Sequence, residues 1–272
     1  MIDYKKRLTI IDADTIIYLS SFNKKDAKEK TVSKVLKLVD DIIKETLDVT
    51  RADEYLGFLT NGSFRYNIAK TVPYKGNRKD TVQPKYYKVI KEYMIAEYKF
   101  TMQKDYEADD LCTSHFMHYK DIYDCIIASP DKDLKQVEGL FYDYKKKQYT
   151  KVSDIDAIRN FWVQMLWGDA GDNIKGITGL GEVKSNKFVN SVINSYKDED
   201  VNEIDFQLSK DIFEIYLKEE KGKERFFENL DLLGLLKKFD GDEDQGRSFI
   251  KLATPIPINS EISELELLEE WE

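Results

Sequence analysis

The sequence predicts an α/β fold, a mainly parallel sheet flanked by helices and followed by a helical C-terminal region. Three observations carry this. Short apolar runs recur at RLTIID, EYLGFL and DCIIAS, each closing on a polar residue or a turn signal. Between the first two lies a helical stripe, Val32, Val35, Leu36, Val39, Ile42 and Ile43, spaced to bury one face. From Ser153 onward the texture changes to helical segments joined by a glycine-rich turn.

Taken in order, Leu8 to Ile11 form the first buried strand and Asp12 stops it. The striped helix and the strand EYLGFL follow, then an irregular stretch, FRYNIAKTVPYKGNRKDTVQ, and a helix from about Lys85 to Tyr98. A further helix opens near Asp105 or Tyr106 with Glu107, Asp109 and Asp110 in its first turn. DCIIAS is the third strand and LFYDY a short fourth. The segment SDIDAIRNFWVQMLW, a glycine turn and GEVKSNKFVNSVI continue as helices, with later pieces around Phe213 and from Phe226 to Leu236. We expect a sheet-based domain over residues 1–150, with a short basic arch region near 75–106, and a helical domain over 151–272. In such sheets polar functional groups gather at the carboxyl ends of the strands.

The bulk composition excludes some classes. At 272 residues and 42% hydrophobic content the chain has enough apolar residues for a substantial core. No apolar run approaches the roughly 20 residues of a membrane span, and MIDYKKRLTIID lacks a signal-peptide core, so a soluble, intracellular protein is expected. Cys112 and Cys125 form no paired motif and read as reduced thiols; His115 and His118 read as a surface pair. With so few soft ligands, carboxylates would hold any metal, which favours Mg2+ or Mn2+. Net charge is −9, yet between Asn61 and Lys104 ten bases, among them Arg65, Lys70, Lys75, Arg78, Lys79 and Lys91, face only Asp80, Glu92 and Glu97. With Phe64 and several tyrosines interleaved, this island reads either as a solvated helix face or as a surface that grips a nucleic-acid strand. The acidic tail SEISELELLEEWE reads equally as a last helix or as a docking peptide.

Acids collect where the chain changes direction: Asp12; Glu107, Asp109 and Asp110; Asp131 and Asp133 in SPDKDL; Asp169 and Asp172 in GDAGD. Singly, each is explained by a helix N-terminus or a turn. Converging on one rim of a sheet, they would repel one another strongly unless divalent cations lay between them. Two such ions roughly 4 Å apart are a device for phosphodiester hydrolysis. Beside them NIKGITGLGEVKS places Gly176, Gly179 and Gly181 before a helix, so that backbone N–H groups and Lys184 can meet a phosphate without reading sequence.

DYEADDL, ASPDKDLKQ and GDAGDNIKGITGLGEVK, in this order, resemble the 5′-nuclease family of flap endonucleases and bacteriophage 5′-3′ exonucleases, and FRYNIAKTVPYKGNR is similar to that family's segment before its helical arch. The resemblance runs from Asp12 to about Lys187. It implies a PIN-like nuclease core, with Asp12, Glu107 and Asp109 at a first metal and Asp110, Asp131, Asp133, Asp169 and Asp172 serving or flanking a second. Lys75 and Arg78 match bases that steer the scissile phosphate; Arg65 and Tyr74 fall in the strand-binding segment. The glycine turn matches a helix–three-turn–helix element that grips duplex and often holds K+. The implied substrate is DNA with a free 5′ end or flap, sometimes RNA paired with DNA. Two departures stand out: where the family has an aspartate after its second strand, this chain reads GFLTNGSFR, with Thr60 or Asn61 in its place, and the segment between Arg78 and Glu107 is short for a full arch. The rival expectations are a non-catalytic DNA clamp with a degraded site, and a sheet-based ribonuclease using one acidic cluster.

Overall fold

A computed structural model describes residues 5–21, 31–78, 82–239, 241–242 and 245–258. Its six-stranded sheet has the order β5-β4-β3-β1-β2-β8, from β1 (Arg7–Asp12), β2 (Glu54–Phe58), β3 (Asp124–Ala128), β4 (Gly139–Asp143), β5 (Gln148–Val152) and β8 (Ile256–Pro257). The four central strands are parallel, and β5 and β8 run antiparallel at the edges. The α/β expectation holds. β5 and β8 were not anticipated: β5 is exposed along most of its length, so no apolar pattern announces it.

β1 lies between β2 and β3, so the chain leaves it toward opposite sides of the sheet. The carboxyl end of such a strand is a topological switch point, where open α/β sheets bind ligands. Both faces of β1 are covered, which is why it reads as continuously apolar. Leu8 and Ile10 pack with Leu56, Phe58 and Leu111 on the side of α5 (Ala108–Tyr119). Ile11 packs on the other face with Val35, Val39 and Ile43 of α2 (Val32–Thr50), Ile16 and Ile17 of α1 (Asp14–Ser21), and Ile90 and Met94 of α4 (Tyr87–Tyr98). α4 is thus packed on the core, and the Tyr93 and Tyr98 hydroxyls both donate to Asp40 Oδ1, at 2.8 and 2.7 Å.

The short α3 (Arg65–Ile68) leads into the basic segment. After β5 comes α6 (Asp154–Trp167), opened by a reciprocal capping box between Ser153 and Asp156. A two-stranded ladder of β6 (Gly168–Asp169) and β7 (Ile174–Lys175) links it to α7 (Glu182–Ser195), and α8 (Val201–Tyr216) and α9 (Gly222–Leu233) complete a separate apolar cluster. The chain then returns to the sheet: Ile250 joins the β1–α5 core, and the Tyr119 hydroxyl donates to Ala253 O at 2.8 Å.

His115 corrects the expected surface pair. It is fully buried, its Nε2 accepts from Ala253 N at 3.0 Å, and burial pushes its pKa down to about 4. His118 is exposed, and both cysteines are buried free thiols. Among the described residues no helix is long and apolar enough to cross a membrane. The acidic tail, Lys79 and Asp80 lie outside the described residues.

Candidate active site

The carboxyl end of β1 delivers Asp12, which is almost fully buried and accepts from Ser129 Oγ at 2.8 Å. Ser129 follows β3 and also accepts the Asp131 N–H at 2.9 Å, so one serine ties the ends of two strands together. The Asp133 N–H closes the same loop onto Asp131 Oδ1 at 2.9 Å. From α6, Gln164 Nε2 reaches Asp133 Oδ1 at 3.1 Å and Asp169 Oδ2 at 3.2 Å, bridging the third strand's loop to the GDAGD loop. Asp169 Oδ1 accepts the N–H groups of Gly171 and Asp172, which folds that loop tightly around it.

Glu107 occupies the N-cap position of α5 without capping it. Its carboxylate turns instead into the site, where Oε2 accepts from Ser63 Oγ at 2.9 Å and Tyr74 OH at 2.7 Å, and Oε1 from Lys75 Nζ. Glu107, Asp109 and Asp110 each offer an oxygen within 4.8 Å of the others. Seven of the eight expected carboxylates, Asp12, Glu107, Asp109, Asp131, Asp133, Asp169 and Asp172, line a single cavity of about 860 Å³ together with Lys75 and Arg78.

These acids are under electrostatic strain. Burial, then the neighbouring Asp14 and Asp131, pushes the Asp12 carboxyl up to about 7. Asp133 also rises to about 7, through burial and then Asp131 and Asp169. Burial and the charges of Asp110 and Glu107 hold Asp109 well above the usual range. Burial also raises Asp172, despite Lys75, Tyr74 and Arg78. Glu107 goes the other way: burial acts upward, but Arg65 and Lys75 outweigh it and lower the carboxyl. A buried donor set of hard carboxylate oxygens fits a divalent cation.

The basic segment meets the acidic loop directly. The backbone Lys75 N–H donates to Asp172 O at 2.8 Å, and Arg78 donates to Gly171 O at 3.0 Å and Asp172 Oδ1 at 2.6 Å. Lys75 sits at φ 51°, in the left-handed region, and its ammonium points inward onto Glu107. Both bases are thus paired with site carboxylates.

Several expectations need correction. Arg65 is not a strand-gripping residue: only 2% of its side chain is exposed, and it holds Asp110, Glu107 and the carbonyls of Leu232 and Gly234. Asp110 correspondingly faces Arg65, with both oxygens engaged, and does not line the cavity. Tyr74 is buried, its hydroxyl spent on Glu107 and Asp172. Gly176 serves packing, since a Cβ there would lie 2.3 Å from Leu166 O. Gly179 and Gly181 have open space around them, and Lys184 is exposed, with its Nζ donating to Gly179 O at 3.1 Å.

Sequence reasoning missed Asp14, Ser129 and Gln164. Asp14 lines the cavity, and its Oδ1 accepts the Thr60 N–H at 3.1 Å. The DxD spacing after the first strand was its only signal.

A 5′-3′ exonuclease of Mycoplasmopsis pulmonis is 23% identical to this chain over 204 residues, which cover 71% of this chain and 67% of the relative. Among solved structures, the D15 protein of bacteriophage T5, co-crystallized with metal ions, matches with a TM-score of 0.58 at 17% identity, over 85% of this chain and 90% of that one. The bacteriophage T5 flap endonuclease in complex with DNA and metal ions matches with a TM-score of 0.53 at 16% identity, over 84% of this chain and 99% of that one. No protein-family model matches. The likeness to these two solved structures extends over most of both chains and shows that the fold is shared.

Proposed function

We propose that this chain is a metal-dependent phosphodiester hydrolase that degrades DNA from 5′ ends and cuts 5′ flaps, in the cytoplasm. The observation that carries the reading is the convergence of eight carboxylates, Asp14 among them, and two bases on one cavity at the switch point of the sheet. The names of the similar proteins, a 5′-3′ exonuclease and a flap endonuclease crystallized with DNA, support the same activity.

Asp12, Glu107 and Asp109 would hold one divalent ion, and Asp131, Asp133, Asp169 and Asp172 a second. When bound, such a pair supplies an activated water and neutralises charge on the phosphoryl oxygens. The chain's own groups do the rest. Ser129 and Gln164 fix the carboxylates, so little reorganisation is required when charge develops. Lys75 and Arg78, which line the cavity against Glu107 and Asp172, orient the scissile phosphate. α6, the glycine loop and α7 act as a helix–three-turn–helix clamp on the duplex backbone. There Gly179, Gly181 and Lys184 would meet phosphate, and backbone carbonyls of the turn would hold a K+ ion that adds positive charge toward the phosphate. RNA in RNA–DNA hybrids is a second substrate, and the acidic tail docks a replication protein.

The test is a 5′-labelled flap duplex and an RNA–DNA hybrid, each incubated with Mg2+, Mn2+ or chelator. Metal-dependent flap or mononucleotide products are expected, and Asp131→Asn or Asp169→Asn should abolish them while leaving DNA binding. Binding without products at any metal concentration would instead make the chain a DNA clamp.

A further inference from the structure

The acidic rim has an uneven composition. The end of β2 brings Thr60 to the cavity wall, but a hydroxyl carries no charge, and Thr60 Oγ1 accepts the Ala108 N–H at 2.9 Å, at the start of α5, while its hydroxyl bonds the Asp14 carboxylate. The end of β1, by contrast, brings two acids, Asp12 and Asp14. An acid in the first turn of a helix ordinarily does no more than favour the macrodipole. Asp14 does something else. Its carboxylate crosses from β1 to the end of β2, accepts the Thr60 N–H, and lines the same cavity as Asp12, Glu107 and Asp109. The carboxylate absent from Thr60's own side chain therefore stands against Thr60's backbone, delivered by a different strand.

Lys91 reinforces the arrangement. Its ammonium binds Thr60 O from α4, so a cation on the outer side of this corner holds the loop that Asp14 grips. Ala13 N–H, bonded to Phe58 O at 3.0 Å, fixes the β1 and β2 ends in register at the point where Asp14 emerges. The Asp14 carboxylate is thus anchored by the Thr60 N–H, on a backbone that the Ala13–Phe58 bond holds in place, as a ligand needs to be.

Resting on the metal-dependent reading above, we infer that Asp14 is a further carboxylate of the metal site formed by Asp12, Glu107 and Asp109, supplied from the β1–α1 junction in place of a side chain at the end of β2 that carries no charge. Without it, this half of the site would rely on Asp12, Asp109 and a Glu107 already paired with two bases.

The experiment measures Mn2+ binding to the full chain without DNA, by titration calorimetry and by the electron paramagnetic resonance signal of free Mn2+. Asp14→Asn is expected to weaken the tighter site about 10-fold or more. Asp14→Asn/Thr60→Asp, which returns the carboxylate from the β2 side, is expected to restore it. Asp14→Ser, small and still able to accept the Thr60 N–H, reads the same loss if Asn disturbs folding, which far-UV circular dichroism reports. Wild-type Mn2+ affinity in folded Asp14→Asn or Asp14→Ser, with affinity lost in Asp12→Asn, would overturn the role of Asp14 alone. No Mn2+ binding by the wild-type chain would overturn the metal-dependent reading as well.

Discussion

Arg65 and Asp110 form a charge pair shut off from solvent, with Nη1–Oδ2 at 2.5 Å and Nη2–Oδ1 at 2.9 Å. The same guanidinium donates to Leu232 O and Gly234 O, so it pins α3 and α5 to the end of α9. Removing one partner of such a pair strands the other charge in a dry interior, which costs about 3–5 kcal/mol. Asp110→Asn and Arg65→Ala should each lower the urea midpoint by a corresponding amount. Arg65→Lys should be only slightly milder, because a lysine cannot reproduce the fork. A midpoint within experimental error of wild type would show that the pair is not what ties these elements together.

Lys75 makes a different kind of contact. Its ammonium binds Glu107 and lies 3.8 Å from Asp172, inside the cavity where a phosphate would sit. In the proposed reaction it meets charge that grows on the phosphoryl group, a contact that strengthens along the reaction. Lys75→Ala should therefore slow single-turnover cleavage by about 10²–10³-fold, the usual loss for one preorganised donor. Flap affinity measured in Ca2+ should change little. Equal losses in rate and affinity would make Lys75 a binding residue only.

Burial makes the site sensitive to pH even before any substrate is present. Asp12 and Asp133 titrate near 7 in the folded chain, against 3.8 ordinarily. Between those values the folded chain holds protons that the unfolded chain has released. Stability from these groups is greatest at low pH and falls as pH rises toward 7, by up to about 1.4 kcal/mol per pH unit per group. Glu107, with its pKa lowered, has the opposite sign, and its contribution is lost only as pH falls below the ordinary glutamate range. In chelator, the urea midpoint should decline from about pH 5 to pH 7.5, and added Mg2+ should raise it more at the upper end. A midpoint that climbs through this window in chelator would refute the strain described here.

Much of this site was legible because its acids lie in short motifs where strands end, and a parallel sheet gathers strand ends on one rim. The residues misread share a cause. Arg65 sits among bases that face solvent, and nothing local distinguishes the one whose acid partner lies 45 positions away. Asp14 reads as an ordinary first-turn acid until the parallel pairing of β1 with β2 sets it beside Thr60. His115 looked like half of a surface pair because the segment that covers it, around Ala253, arrives from the far end of the chain. Local chemistry shows in sequence, whereas partners brought by long-range packing do not.

The glycine turn separates into packing and contact roles that substitution can tell apart. Gly168, at φ 80°, pairs with Lys175 in the β6–β7 ladder and Gly176 follows at its end, and an added Cβ would come within 2.3 Å of Ile174 O or Leu166 O respectively. Backbone cannot move aside as a flexible side chain can, so Gly168→Ala and Gly176→Ala should destabilise the helical region by several kcal/mol or so. Gly179 also has a positive φ, 79°, but open space around it, so Gly179→Ala should cost only about 1 kcal/mol. Gly181 is extended, with nothing nearby, so alanine there should leave stability unchanged. Its N–H group, at the start of α7, is where a duplex phosphate would approach. Gly181→Ala should therefore fold normally yet weaken binding of duplex DNA several-fold, with Lys184→Ala reducing the salt dependence of that binding by about one counterion. Wild-type duplex affinity in both variants would move the clamp elsewhere on the helical region.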